Sequence, residues 1–279
     1  MGQKKYRGTI VPAVTPLSAD LSLDIAAVER MLALYHEHRA EPFILGTTGE
    51  APSLPAAVKQ MYIRLAGRLK RHDEMLYVGI SSNCLYDSVD WAHRALDEGA
   101  DVVVSTLPSY YPLTADQMRR YFEQLADSVQ GPLMIYNIPA TTHLSIPLEV
   151  IDELSHHPNI VGIKDSERND ERLQESLRLW AGREDFSHFL GWIARAGQAL
   201  LQGTDGLVPS TANFAPGIYH EMMKAAAEGD VSTVTRLQQE SDRLGASYQA
   251  GVTLGESLAA LKLIMQREGL CQPYMMPPL

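Results

Sequence analysis

Cysteine is scarce. Cys84 and Cys271 are the only two among 279 residues, too few for a disulfide framework, which fits a reducing compartment. Basic blocks are missing as well. Lysine and arginine number 24 against 34 acidic residues, a net charge of −10. That balance argues against nucleic acid or an anionic membrane as a partner. No apolar run approaches the roughly 18 residues that cross a bilayer. Residues 1–6, Met-Gly-Gln-Lys-Lys-Tyr, hold no apolar signal core, and Tyr6 breaks the myristoylation pattern. These absences predict a cytoplasmic protein. The nine histidines show no metal-ligand spacing backed by carboxylates. His36 and His38, two residues apart on a helix, cannot share a face, and His156-His157 precedes a proline. Neither a metal nor a cofactor is expected.

Hydrophobic residues make up 45% of the chain, enough for a large core. No linker or low-complexity tract divides it. Apolar runs fall at residues 9–14, 43–45, 76–80, 102–104, 133–136, 160–163, 186–190 and 207–208. Several lack period-two alternation, as strands buried on both faces do. Helical stripes separate them. Val28, Met31, Leu32 and Tyr35 form one; Val58, Met61, Tyr62, Leu65 and Leu69 a second; Met118, Tyr121, Phe122, Leu125 and Val129 a third. Met31, Met61, Met118 and Met265 read as core filler. Thr114 with Gln117 fits a capping box, and Pro147 marks the first turn of the fifth helix.

Eight such strand–helix units end near Glu228. They predict an α/β fold, a (β/α)8 TIM barrel over residues 1–228, of a size that suits about 250 residues. Residues 231–244 and 255–267 read as further helices, within a C-terminal helical extension, residues 229–279, packed on the barrel. Active sites of such barrels lie at the C-terminal ends of the strands.

Those ends hold the candidates. The second run stops at Gly46-Thr47-Thr48-Gly49-Glu50, where two hydroxyls and several backbone N–H groups can form a nest for a carboxylate. An ordinary Gly-Thr loop is the plainer alternative. The fourth leads into Pro108-Ser109-Tyr110-Tyr111-Pro112, whose tyrosines suit chemistry or an interface. The fifth ends at Tyr136-Asn137-Ile138-Pro139, which places a phenol at the barrel mouth or leaves a core tyrosine. The sixth ends at Lys164, and lysine is rarely buried without a reason. A desolvated lysine gives up its proton more readily and exposes a nucleophilic amine. The competing reading pairs Lys164 with Asp165 at the strand end.

Together, Gly46-Thr47-Thr48-Gly49-Glu50, Tyr136-Asn137-Ile138-Pro139 and Gly162-Ile163-Lys164-Asp165-Ser166 resemble the dihydrodipicolinate synthase / N-acetylneuraminate lyase family of class I pyruvate aldolases. The likeness begins at Gly8-Thr9-Ile10-Val11-Pro12, passes through Glu98-Gly99-Ala100-Asp101 and reaches Gly206-Leu207-Val208-Pro209-Ser210-Thr211-Ala212-Asn213. By this resemblance Lys164 forms an imine with pyruvate or another 2-oxo acid, and Tyr136 moves protons at the substrate. Thr48 and Tyr110 match the proton relay, with Tyr110 reaching a neighbouring subunit's site. Thr47 and Thr48 match the carboxylate turn, and the Val208 carbonyl a position facing the substrate. The resemblance also implies a homo-oligomer, commonly a tetramer built from dimers.

Three positions depart from the lysine-pathway synthase and its relatives. That enzyme carries an arginine where this chain has Thr141, and a hydroxyl cannot replace a bidentate carboxylate clamp. Thr141, together with Ser166, is therefore expected to meet substrate hydroxyls, as in relatives that cleave 2-keto-3-deoxy sugar acids. Trp192 stands where many relatives have a small or acidic residue, and should narrow the pocket or wall it. Cys84, after the third strand, is expected to be a small buried side chain. The function expected is reversible aldol cleavage of a 2-keto-3-deoxy sugar acid to pyruvate and an aldehyde. The alternatives are the lysine-pathway synthase, a dehydratase of the same acids, and a non-catalytic metabolite-binding barrel.

Overall fold

The structure is a computed structural model and describes residues 4–279, so Met1, Gly2 and Gln3 of the N-terminal segment lie outside it. Eight parallel strands close into a barrel in sequence order. They are β1 Gly8–Pro12, β2 Ala40–Ile44, β3 Tyr77–Gly79, β4 Val102–Ser105, β5 Leu133–Asn137, β6 Ile160–Asp165, β7 Ser187–Leu190 and β8 Gly206–Leu207. Each overlaps one of the eight apolar runs. Around them lie α1 Ile25–Glu37, α2 Ala56–Leu69, α3 Leu85–Asp97, α4 Ala115–Ser128, α5 Pro139–Thr142, α6 Leu148–Leu154, α7 Asp170–Trp180, α8 Ala196–Leu201 and α9 Pro216–Ala227. The chain ends with α10 Val231–Gln249 and α11 Leu254–Arg267. Among the described residues no helix is long and apolar enough to cross a membrane.

Strand alternation divides the core in two. Ile10, Phe43, Tyr77, Val102, Val104, Met134, Tyr136 and Phe189 fill the barrel interior. Val11, Ile44, Val78, Val103, Ile135 and Ile163 face outward and meet the helices. The outer layer holds the expected stripes: Val28, Met31 and Tyr35 of α1, and Met118, Tyr121, Phe122 and Leu125 of α4, are buried. Met61 is the exception. It is 50% exposed on α2, so it is not core filler. Its neighbour Tyr62 takes the inward position instead, fully buried, with its hydroxyl donating to the Val14 carbonyl at 3.0 Å.

Thr114 and Gln117 do form a capping box on α4. A second box, Thr253 with Glu256, opens α11 and was not read from the sequence. Pro147 sits one residue earlier than expected, at the N-cap of α6. Helix α10 runs five residues beyond the expected stop at 244, because Gly245 keeps helical backbone angles and the first left-handed glycine after it is Gly251. It packs against α8, α9 and α11.

At the floor of the barrel the charged side chains of Lys4 and Glu41 have partners. Lys4 donates to Asp205 Oδ2 at 2.8 Å and to the carbonyls of Phe186 and Trp180. Tyr77 packs edge-on against Phe189. Glu41 accepts from the Met75 N–H at 2.6 Å, and burial pushes its carboxyl up to about 7. On β7, His188 is wholly buried against Thr204, and desolvation pulls its imidazole down to about 4.

Candidate active site

At the other end, the strands open onto a cavity of about 810 Å³. Lys164 stands in its wall, 5% exposed. Residues Gly162 and Lys164 point inward from β6, while Ile163 and Asp165 point outward, because side chains alternate along a strand. This removes the competing reading of Lys164. Asp165 is committed elsewhere: Arg172 Nε lies 2.7 Å from its Oδ2, and Asn137 Nδ2 and the Glu167 N–H donate to its Oδ1. Among the described residues Lys164 has no ion-pair partner. Its amine instead lies 3.9 Å from the ring centre of Tyr136 and 5.0 Å from that of Phe43.

Tyr136 and Lys164 are register partners on β5 and β6. The Tyr136 hydroxyl lies 3.4 Å from Thr47 Oγ1, on the turn after β2. Thr48, Ser166 and Val208 line the same cavity. The turn at 46–50 is tightly made: Gly49 N–H donates to the Gly46 carbonyl and Glu50 N–H to the Thr47 carbonyl. The N–H groups of Thr47 and Thr48 donate to no acceptor among the described residues, which leaves them available to an anion. Gly79 permits this packing, since a Cβ there would lie 2.0 Å from the Leu45 carbonyl oxygen. Gly191 does the same for Ser166, whose hydroxyl occupies the space a Cβ would take.

Two expected site residues are not brought to this cavity within the chain. Tyr110 is 76% exposed, outside the cavity lining, with its ring 4.9 Å from that of Tyr111. Thr141 sits on α5 beside the lining residues Ile138, Pro139 and Ala140, and its hydroxyl turns back to the Ile138 carbonyl at 3.4 Å. Trp192 lines the cavity and is backed by the Arg195 guanidinium, 4.7 Å from its ring centre. It therefore serves as an apolar wall of a cavity that stays roomy. Cys84 corrects the sequence reading. It is exposed at the N-cap of α3, where Ser82 Oγ accepts from its N–H. Among the described residues no group of three or more His, Cys, Asp or Glu side chains is placed to hold a metal ion.

A buried amine without an ion-pair partner among the described residues, a phenol beside it and a turn with free N–H groups in the same cavity wall are parts that imine chemistry on a 2-oxo acid uses. The dihydrodipicolinate synthetase family model matches residues 5–279. The chain belongs to this family. Its members are Schiff-base-dependent lyases, and the chain is a pyruvate-dependent lyase of that kind. A 4-hydroxy-tetrahydrodipicolinate synthase of Alkalilimnicola ehrlichii is 29% identical over 98% of this chain and 92% of the relative. An uncharacterised DapA-like lyase of Thermococcus kodakarensis is 31% identical over 98% and 93%. Among solved structures, a dihydrodipicolinate synthase from Bacteroides thetaiotaomicron superposes with a TM-score of 0.93 at 30% identity, covering 100% of this chain and 94% of the other. YagE, a prophage protein of Escherichia coli K12 solved in complex with pyruvate, gives 0.92 at 26% identity, covering 99% and 93%.

Sequence reasoning missed the far wall of the cavity. Ser210, Thr211, Tyr248, Gln249 and Thr253 come from the loop after β8 and from the last two helices. Tyr248 joins Ser210 Oγ at 2.7 Å and Thr211 Oγ1 at 3.1 Å, and burial raises its phenol. Tyr248 lies beyond the expected helix end at 244, so no local signal marked it. Arg168, at the cavity's edge on the loop after β6, was also missed.

Proposed function

We propose that this lyase cleaves a 2-keto-3-deoxy sugar acid reversibly to pyruvate and an aldehyde, through an imine on Lys164. The observation that carries the reading is the Lys164 amine, buried, without an ion-pair partner among the described residues, and set against the Tyr136 ring at 3.9 Å. The neutral amine attacks the substrate's C2 carbonyl, and the carbinolamine loses water to give the protonated imine. Tyr136 gives and takes the protons of these steps, a role a phenol fills in both directions. The substrate carboxylate rests on the free N–H groups and hydroxyls of Thr47 and Thr48. Loss of the C4 hydroxyl proton to Tyr136 breaks the C3–C4 bond, and the electron pair enters the imine to form an enamine. The aldehyde departs; the enamine is protonated at C3 and hydrolysed to pyruvate and free lysine. Thr48 and Tyr110 complete the proton path, Tyr110 in a neighbouring subunit of a homo-oligomer. Hydroxyls of Ser166, Ser210 and Tyr248 along the cavity support a polyhydroxylated distal half, and Thr141 offers no charged clamp.

A second reading rests on Arg168. It lines the cavity and makes no ion pair among the described residues, so it can hold the distal carboxylate of aspartate semialdehyde from a different loop. Incubation with candidate substrates separates the readings. Pyruvate plus an aldehyde released from 2-keto-3-deoxy acids supports the aldolase. A semialdehyde product without pyruvate means dehydration, and condensation of pyruvate with aspartate semialdehyde, lost in Arg168→Gln, establishes the synthase.

A further inference from the structure

Only two lysines among the described residues are buried, Lys164 and Lys262. Lys262 lies on α11, 1% exposed at its side chain, with its Nζ 2.5 Å from Oε1 of Glu50, whose side chain is 0% exposed. The same ammonium donates to the Tyr274 carbonyl at 2.7 Å, and the Met276 N–H donates to Glu50 Oε2 at 2.8 Å. Burial drives Lys262 toward its neutral form, and the Glu50 charge opposes that drive. Glu50 is thus held from two sides by the C-terminal segment. It also ends the turn that presents Thr47 and Thr48. Leu45 and Glu50 bracket this turn, and both adopt left-handed backbone angles, φ 57° and 56°, without being glycine. Such conformations persist where the surroundings over-determine them. For Glu50 the surroundings are Lys262 and Met276.

We propose that the Glu50–Lys262 pair, with the Met276 N–H, is a positioning clamp by which the C-terminal extension sets the carboxylate-binding turn at Thr47 and Thr48. This rests on the reading of that turn as the carboxylate site. Glu50 and Lys262 do not touch the substrate; they fix where the two free N–H groups point. Glu50, Lys262 and Met276 then shape the substrate site although none of the three lines the cavity.

The test compares the pyruvate concentration that half-saturates borohydride trapping in the wild type, Glu50→Gln and Met276→Pro. Met276→Pro deletes one N–H donor and leaves both charges in place. Lys4→Met, which breaks the partnered pair at the barrel floor, serves as the control for general destabilisation. Half-saturation rises at least about tenfold in Glu50→Gln, since hydrogen bonds to charged groups carry such factors. It rises by a smaller factor in Met276→Pro and stays unchanged in Lys4→Met, while the maximal adduct yield is retained. Amide exchange at residues 46–50, followed by mass spectrometry, speeds up in both clamp variants. Folded clamp variants with wild-type half-saturation and wild-type exchange at 46–50 overturn the proposal. If Glu50→Gln does not fold, Met276→Pro decides alone. If the wild type gives no adduct, the imine reading falls, and the exchange at 46–50 still judges the clamp.

Discussion

The two ends of the barrel treat buried charge in opposite ways. At the floor, Lys4 has Asp205 and two carbonyls, Lys70 has Asp101 at 2.8 Å, and Glu41 has a backbone N–H. At the mouth, Lys164 is more deeply buried than these half-buried groups and has no counter-charge among the described residues, only aromatic faces and an open cavity. Burial alone therefore does not mark a reactive lysine in this fold. What distinguishes Lys164 is burial without an ion-pair partner among the described residues, beside space for a substrate. Lys262 sharpens the contrast from within the C-terminal extension, being equally buried but saturated by Glu50 and Tyr274.

The comparison can be broken at either end. The largest effect belongs to the mouth: Tyr136→Phe lowers kcat by about 10²–10⁴-fold with the fold intact, as loss of a general acid–base group does. Near-normal turnover by a folded variant takes Tyr136 out of the mechanism. The floor gives the inverse result. Lys4→Met costs about 1.5–3 kcal/mol of stability, the range for hydrogen bonds to a charged group, and leaves kcat unchanged. Urea unfolding alongside steady-state assays measures both, and a changed kcat with unchanged stability would reverse the assignment of the two ends. The smallest effect concerns Glu41, held up at about 7 against an ordinary 4.5. As pH rises from about 4.5 to about 7, the unfolded chain releases this proton and the folded chain keeps it, so Glu41's contribution to stability falls across that window and levels off above it. Glu41→Gln, which still accepts from the Met75 N–H, flattens the fall, seen as a smaller difference in denaturation midpoint between the two ends of the window. An unaltered difference would show that Glu41 titrates normally.

The barrel was legible because its signal is repeated. Eight apolar runs alternate with helical stripes, and each strand falls on one of those runs. Lys164 was legible because a lysine ending such a run breaks the pattern, and the structure removed its rival by turning Asp165 to the outer face toward Arg172. The tertiary parts were not legible. Met61 sits on the apolar stripe of α2, but the stripe is wider than the surface it covers, so one member faces solvent. Cys84 lies in a short loop whose burial depends on what packs over it, and the fold leaves it exposed. The hydroxyl wall from Ser210 to Thr253 joins segments far apart in the chain, which no local spacing reveals. Lys262 did leave a trace: it occupies the i+4 position of the stripe Leu258, Leu261, Met265, where an apolar residue belongs. A lysine in that place signals a buried acid elsewhere, and Glu50 closes the Gly-Thr-Thr-Gly-Glu motif.

Whether the Lys164 amine is the nucleophile is decided by trapping. The protein is incubated with pyruvate and sodium borohydride, digested, and its peptides are weighed. A reduced pyruvyl adduct is expected on the peptide carrying Lys164 and none on that carrying Lys262. An adduct on another lysine, or none on any lysine of well-folded protein, would contradict it.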